Sequence, residues 1–493
     1  MTAVDDSPQT TAPAPSLLTR PNRSHHLTDW DPEDTIAWEA GNKDIARRNL
    51  IWSVATEHVG FSIWSIWSVM VLFMPQAVYG FTAADKFVLV ATPTLVGALL
   101  RIPYTVATAR FGGRNWAVFS GIALLVPTLG TWWLVTHPGA SLTTFCVVAA
   151  FAGLGGGNFA SSMTNINAFY PQRLKGWALG LNAGGGNIGV PAVQLVGLLV
   201  IASLGNRRPE VVCAVYLVLL VAVSISAALK MDNLDHQTSN GRAMKDVLAH
   251  GDSWLISLLY IGTFGSFIGF GFAFAQVLNI VFTAQLTGGA APTAAQSGAA
   301  SLHAAQIAFV GPLLGSVSRI AGGKLADRVG GGRVTFWTFV GMVVSAGVLV
   351  AAGVSDDATT GAADDAQLTA LIAGFIALFL LSGVGNGSVY KMIPSIFERK
   401  SRMLPGRSPE QRTHWSRSMS GALIGIAGAV GALGGFVINI VLRQSYLTST
   451  SATTAFWIFL AFYVLAAVIT YVRYVRQSHG DLVEAPAPAR STS

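Results

Sequence analysis

Twelve stretches of about 20 or more mostly apolar residues recur along this chain, each long enough to cross a hydrocarbon core roughly 30 Å thick. They fall near 50–74, 87–109, 115–136, 141–169, 175–203, 210–229, 253–283, 300–323, 333–354, 367–396, 416–442 and 454–474. Backbone in lipid must satisfy its own hydrogen bonds, so spans of this length are helices; the strands of a barrel would be half as long and alternating. The expected fold class is an all-α membrane protein with twelve transmembrane helices. Composition agrees, with 52% hydrophobic residues and only 11% charged ones, against roughly a quarter charged in soluble domains.

The few charges are placed unevenly. Of the 31 Lys and Arg, 24 fall on the side shared by the N-terminus, the even-to-odd loops and the C-terminus, and only Lys86, Arg207, Arg208 and Arg443 on the other. The positive-inside rule puts both termini in the cytoplasm. This asymmetry accounts for the net charge of +7 and leaves no separate basic patch, which argues against nucleic acid as a partner. The first residues, with "TAPAPS" and "HLTDWDPEDT", are polar and have no apolar core like a signal peptide's. They read as a cytoplasmic tail over 1–43. Cys146 and Cys213 both lie inside spans and have no metal-ligand spacing, so they read as helix packing. Neither a metal nor a cofactor is expected.

The chain repeats itself. Laying "GALLRIPYTVATARFGGR" on "LLGSVSRIAGGKLADRVGGGR" superposes Arg101 on Arg319 and Arg110 on Arg328. "GLGGGNFASSMTNINAFYP" likewise answers to "GVGNGSVYKMIPSIF", and "GLNAGGGNIGV" to "GALIGIAGAVGALGG", so spans 2, 4 and 5 match 8, 10 and 11. This predicts two six-helix halves, 44–230 and 253–476, joined by a polar linker over 231–252 and followed by a tail over 477–493. Such parallel repeats belong to transporters whose substrate site lies between the halves near mid-membrane. "GGKLADRVGGGR" also resembles the Gly-x-x-x-Asp-Arg-x-Gly-Arg loop of the major facilitator superfamily, and its first-half counterpart, "ARFGGR", lacks the aspartate.

Nine residues separate Arg101 and Arg319 from the cytoplasmic Arg110 and Arg328, which places both roughly 13 to 14 Å into the membrane, near its midplane. A charge facing lipid there costs between about 3 and more than 10 kcal/mol, so both must look into a polar cavity. The only acidic residue deep in any span is Glu57, and one carboxylate cannot neutralise two arginines. Two unpaired planar forks facing each other across the halves make an anion site, because guanidinium matches planar oxyanions bidentately. Asn158, Asn165, Asn167, Asn182 and Asn187 offer neutral donors on spans 4 and 5, and Phe159, Tyr260, Phe264 and Tyr390 offer flat faces on spans 4, 7 and 10. Such a shell suits a small delocalised monoanion. The same asparagines and aromatics are also ordinary interhelical packing residues.

Two of these segments carry a specific resemblance. "GGGNFASSMTNINAFYPQRLKGWALGLNAGGGNIGV" and "SGVGNGSVYKMIPSIF" resemble the paired signature motifs of the nitrate/nitrite porter family, and "GALLRIPY", "SLLYIGTFGSFIGF" and "DWDPED" are similar to that family too. The resemblance implies a multi-pass protein of the cytoplasmic membrane that moves nitrate and nitrite by alternating access and is not an enzyme. It also implies that Arg101 and Arg319 clamp the anion while Phe159 and Tyr390 stack on its faces. Asn187 and Tyr260 would add hydrogen bonds, and Phe264 would line the cavity. Family members commonly carry phenylalanine at the position of Tyr390, and a neutral amide occurs at that of Lys391.

Glu57 and His58, in "VATEHVGFSIW", depart from family members whose first helix is apolar there. A nitrate/proton symporter needs a group that changes protonation within the membrane; a nitrate/nitrite antiporter does not, because the counter-anion resets the site. Glu57 and His58 are therefore candidate proton carriers, and Glu57 is also a candidate partner of Lys391 in a cytoplasmic gate, a role compatible with the first. The expected partners are nitrate, nitrite, protons and membrane lipid, with the chain a monomer. Alternatives are a facilitator for another small anion or an organic solute, a sensor that binds nitrate without moving it, and a haem-bearing membrane subunit. The last needs histidines deep in facing spans, where only His58 lies well inside one and His303 begins another.

Overall fold

The computed structural model describes residues 25–235, 241–355 and 364–476. Most of the expected N-terminal tail and all of the C-terminal one lie outside the described residues. The architecture is helical throughout, apart from one two-stranded sheet. Among the described residues, eleven helices are long and apolar enough to cross a membrane. They are α2 (Ala83–Phe111), α3 (Gly113–Thr136), α4 (Leu142–Phe169), α5 (Gln172–Leu204), α6 (Glu210–Lys230), α7 (Gly251–Thr287), α8 (Ala294–Val329), α9 (Gly331–Val354), α10 (Asp365–Arg402), α11 (Pro409–Ser449) and α12 (Thr453–Arg476). The first span is α1 (Lys43–Trp64), which continues past a break at Ser65 as Trp67–Met70 and Val71–Phe73. It is less apolar than the rest because it carries Lys43, Asp44, Arg47, Arg48 and Glu57.

Several helices outrun their apolar stretches, and their first turns show why. Thr82 with Asp85, Thr293 with Gln296, Asp364 with Gln367 and Ser408 with Gln411 form reciprocal capping boxes that start α2, α8, α10 and α11 in the aqueous layer. Hydropathy marks where lipid begins; the caps mark where helix begins. The duplication is visible in the turns that follow the paired arginine helices. α2 and α8 both end on a glycine with positive φ, Gly112 (87°) and Gly330 (92°), and the next helix starts at once.

On the side away from the chain ends the two halves are closed. Ser301 Oγ donates to the Leu72 carbonyl at 2.7 Å, and Gln194 Nε2 donates to the Gly271 carbonyl at 2.8 Å. Phe87 stacks on Tyr446 and Trp64 meets Phe272 edge-on, with centroids 5.3 and 5.4 Å apart. On the basic side they are parted. A methyl group added at Gly176, Gly180 or Gly184 on α5, Gly323 on α8, or Gly421 or Gly425 on α11 would meet no atom within 4 Å. These positions share helix faces with Asn187, Arg319 and Gly428, so the empty space is a vestibule running from the level of the two arginines to the basic face.

Residues 25–42, expected as part of a polar tail, are folded onto the first half. Strand β1 (His26–Leu27) pairs in parallel with β2 (Asn233–Leu234), at the start of the expected linker. Trp30 and Trp38 pack edge-on against Phe169 and Tyr170 at 5.3 and 5.7 Å. Two buried aspartates fasten the linker ends to opposite halves. Asp232 accepts from Arg48 at 2.5 Å and Asn49 at 2.9 Å in the first half, and Asp252 meets Lys400 at 2.8 Å and Arg473 at 3.2 Å in the second.

Candidate functional site

At the blind end of the vestibule lie both deep arginines. Arg101, on α2, is 1% exposed and donates from Nη1 to the Gly428 carbonyl on α11 at 2.9 Å. Its Cζ sits 4.6 Å from the centroid of Phe159, 4.9 Å from that of Phe264 and 5.7 Å from that of Trp64. Arg319, on α8, is 8% exposed, with Cζ 5.2 Å from Tyr390 and 6.0 Å from Phe159. Phe159 is thus within cation–π range of both guanidiniums. Arg101 Nε and Nη2 and Arg319 Nη1 are buried without an acceptor, and among the described residues neither arginine has a carboxylate within 4 Å.

The aromatics form a continuous wall. Tyr390 stacks on Tyr260 at 4.5 Å, Tyr260 on Phe264 at 5.1 Å, and Phe264 lies 6.1 Å from Phe159. A wide helical turn over Ile261–Gly265 carries Phe264, and such turns recur at functional sites. Tyr260 Oη and both amide atoms of Asn187 are buried without partners, and Tyr390 Oη makes only a long 3.5 Å hydrogen bond to the Ile424 carbonyl. The structure therefore gathers Arg101, Arg319, Phe159, Tyr260, Phe264 and Tyr390 around one point, with Asn187 buried on the vestibule face of α5.

The other expected residues sit differently. Glu57 is fully buried inside the first half, where one carboxylate oxygen accepts from Ser162 Oγ and from Asn182 Nδ2 at 2.7 Å and the other is unpaired. His58 turns away from it, with Nδ1 3.2 Å from the Gly185 carbonyl. Lys391 is bound to Asp327 at 2.8 Å, both half-exposed at the vestibule side of the second half, so the expected Glu57–Lys391 gate is not formed. The reason is chemical: the aspartate of the α8–α9 loop motif is nearer, and it needs no desolvation of the lysine. Of the asparagines grouped around the arginines, Asn182 serves Glu57, Asn158 packs against Gly60, Asn165 packs against Gly113, and Asn167 is exposed. Helical phase, which composition ignores, sends them to other faces. Trp64 over Arg101 and the Gly428 carbonyl were not foreseen; both lie in segments whose sequence reads as packing.

A planar monoanion fits this place. Three unanswered guanidinium nitrogens, carrying five N–H groups between them, supply charge-assisted donors, and flat rings exclude water around them. A polyanion would find no further cation among the described lining residues.

The description Major Facilitator Superfamily matches residues 58–408 of the chain. The chain is 34% identical to the nitrate/nitrite transporter NarU of Escherichia coli over 480 residues, 94% of this chain and 99% of that protein. It is 29% identical to the probable nitrate/nitrite antiporter NarK2 of Thermus thermophilus, over 92% and 97% of the two chains. Among solved structures, a D-xylose-proton symporter matches with a TM-score of 0.61 at 14% identity, over 87% of this chain and 97% of that one.

Proposed function

Because this chain belongs to the nitrate/nitrite porter family of the major facilitator superfamily, we propose that it carries nitrate and nitrite across the cytoplasmic membrane by alternating access. The observation that carries this reading is the pair of buried arginines with unanswered donors, both within cation–π range of Phe159. The anion bridges Arg101 of the first half and Arg319 of the second, with Phe159 and Tyr390 on its faces and Asn187 and Tyr260 as neutral donors. Bridging favours a closed site, since each half holds one arm of the clamp, and the described conformation is the one that delivers to the cytoplasm. The test is nitrate uptake by purified protein in vesicles loaded with nitrite. Wild-type protein should exchange the two anions, and protein lacking either guanidinium should not. Uptake equal to that of empty vesicles would remove the proposal.

Glu57 favours proton symport over strict exchange. It is a buried carboxylate inside the membrane, held by two neutral donors and paired with no cation among the described residues, the type of group that carries a proton in coupled transport. Exchange never requires the carrier to return empty, so Glu57→Gln should abolish uptake driven by an inward proton gradient while nitrite-for-nitrate exchange persists.

A further inference from the structure

The vestibule is open to the cytoplasm, yet Glu57 has no exposed surface. A proton on it cannot leave by the anion's path in this conformation. A second opening lies inside the first half. It is a small cavity lined largely by hydroxyl, amide and carboxyl side chains, and it leaves about 10 Å3 for the centre of a water molecule, room for one. On α4 its wall is Asn158, Ser161, Ser162 and Asn165, spaced i, i+3, i+4 and i+7 and so a single helix face, roughly 10 Å long toward the basic end. α1 contributes Ser53 and Glu57. Ala117 closes the cavity from α3, and Gly113 and Met231 mark its cytoplasmic end. Asn158 Oδ1 is a buried acceptor without a donor, a partner for a water; the unpaired Glu57 oxygen is buried too and lies against Gly186 of α5.

The second half has filled the same place. The repeat pairs Ala117 with Thr335, Asn158 with Ser388 and Ser162 with Met392. There Thr335 Oγ1 is 2.8 Å from Ser388 Oγ and 3.5 Å from Met392 Sδ, a dry and satisfied contact. One half thus keeps a cavity beside a buried carboxylate where its copy has a filled contact.

We infer that this cavity is a proton exit of its own: Glu57 releases its proton through a water between α1, α3 and α4 to the cytoplasm, while the anion leaves through the vestibule. Asp232, next to Met231 and paired with Arg48 and Asn49, stands at the cytoplasmic end of this line, and Tyr104 of α2 packs against Gly157 of α4; the remaining titratable and charged groups on the packed elements are removed from it. His58 faces the Gly185 carbonyl, Arg101 and Arg319 face the anion site, and Tyr216 of α6 is buried toward the far side. Arg114, Lys230, Arg173 and Lys175 stand at the basic ends of α3, α6 and α5, and α4 carries only Cys146 near its opposite end.

The inference rests on Glu57 as the coupling group, and the experiment separates the two. Purified protein in vesicles is assayed for nitrate uptake driven by a proton gradient and for exchange against internal nitrite. Ala117→Thr installs the side chain the other half carries, and Ser53→Val dries the opposite wall. Both should cut proton-driven uptake at least tenfold and leave exchange within twofold of wild type, as Glu57→Gln should. Loss in Glu57→Gln with normal coupled uptake in the two filling variants overturns the exit and keeps Glu57. Normal coupled uptake in Glu57→Gln overturns the coupling reading itself. Equal loss of both transport modes in the filling variants means that the cavity is structural, and the exit is again refuted.

Discussion

The two halves descend from one pattern, and they have kept it unequally. Around the anion site the copies correspond: one arginine each at matching positions on α2 and α8, one aromatic each from α4 and α10. Away from it they diverge. The first half encloses a carboxylate among hydroxyls and amides, whereas the second places Thr335 and Met392 in the equivalent gap and moves its acid, Asp327, out to the vestibule beside Lys391. Even the arginines differ, since Arg101 is tied to the opposite half by a carbonyl and Arg319 among the described residues touches only rings. A site that must grip from both sides constrains both copies. A coupling group needs only one, which frees the other copy to become packing.

Four measurements break or sharpen this contrast. The largest effect should come from exchanging each fork for a point charge. Arg101→Lys loses a charge-assisted hydrogen bond as well as planarity, and nitrate affinity by calorimetry should fall about a hundredfold, against roughly tenfold for Arg319→Lys. Wild-type affinity in both would end the clamp, and equal losses would end the asymmetry. Next come the rings. Phe159 serves two guanidiniums and Tyr390 one, so Phe159→Ala should weaken binding roughly tenfold and Tyr390→Ala about threefold, with both proteins still inserted; the reverse order would show that the wall, and not the shared ring, matters. Lys391→Gln breaks only a half-exposed ion pair and should slow proton-driven uptake and exchange alike by less than about threefold. Selective loss of the proton-driven mode would put coupling in both halves. Smallest for transport is Thr335→Ala, which should leave both modes intact and lower stability by about 1 kcal/mol in a thermal melt; a change in coupling there would mean that the second half is not mere packing.

Much of this was legible before any coordinates. Twelve apolar stretches dictate helices, and a charge nine residues in from a loop arginine must lie near mid-membrane, so Arg101 and Arg319 announce themselves. What sequence hides is phase and neighbourhood. Glu57 and Lys391 sit at similar depths and have opposite charge, yet they point into different spaces, and the loop motif supplies Asp327 beside Lys391. The asparagines were grouped by type; reading Asn158, Ser161, Ser162 and Asn165 by helical spacing would have given the polar face of α4. The fold of residues 25–42 was signalled by Trp30 and Trp38 inside a polar stretch, an oddity that solvent-exposed tails rarely carry.

One carboxylate set beside two guanidiniums has an electrical meaning. With Glu57 ionised and no anion bound, the core carries one net positive charge. With Glu57 protonated and nitrate seated, it carries one again. The two species that a symporter must move across its midpoint are thus isoelectric, whereas the proton alone would raise the core to two charges and nitrate alone would lower it to zero. In a one-to-one symport of proton and nitrate, partial loading would thereby be marked by a change of field inside a low-dielectric barrier, and a turnover would move no net charge, which would leave membrane voltage little purchase on the cycle.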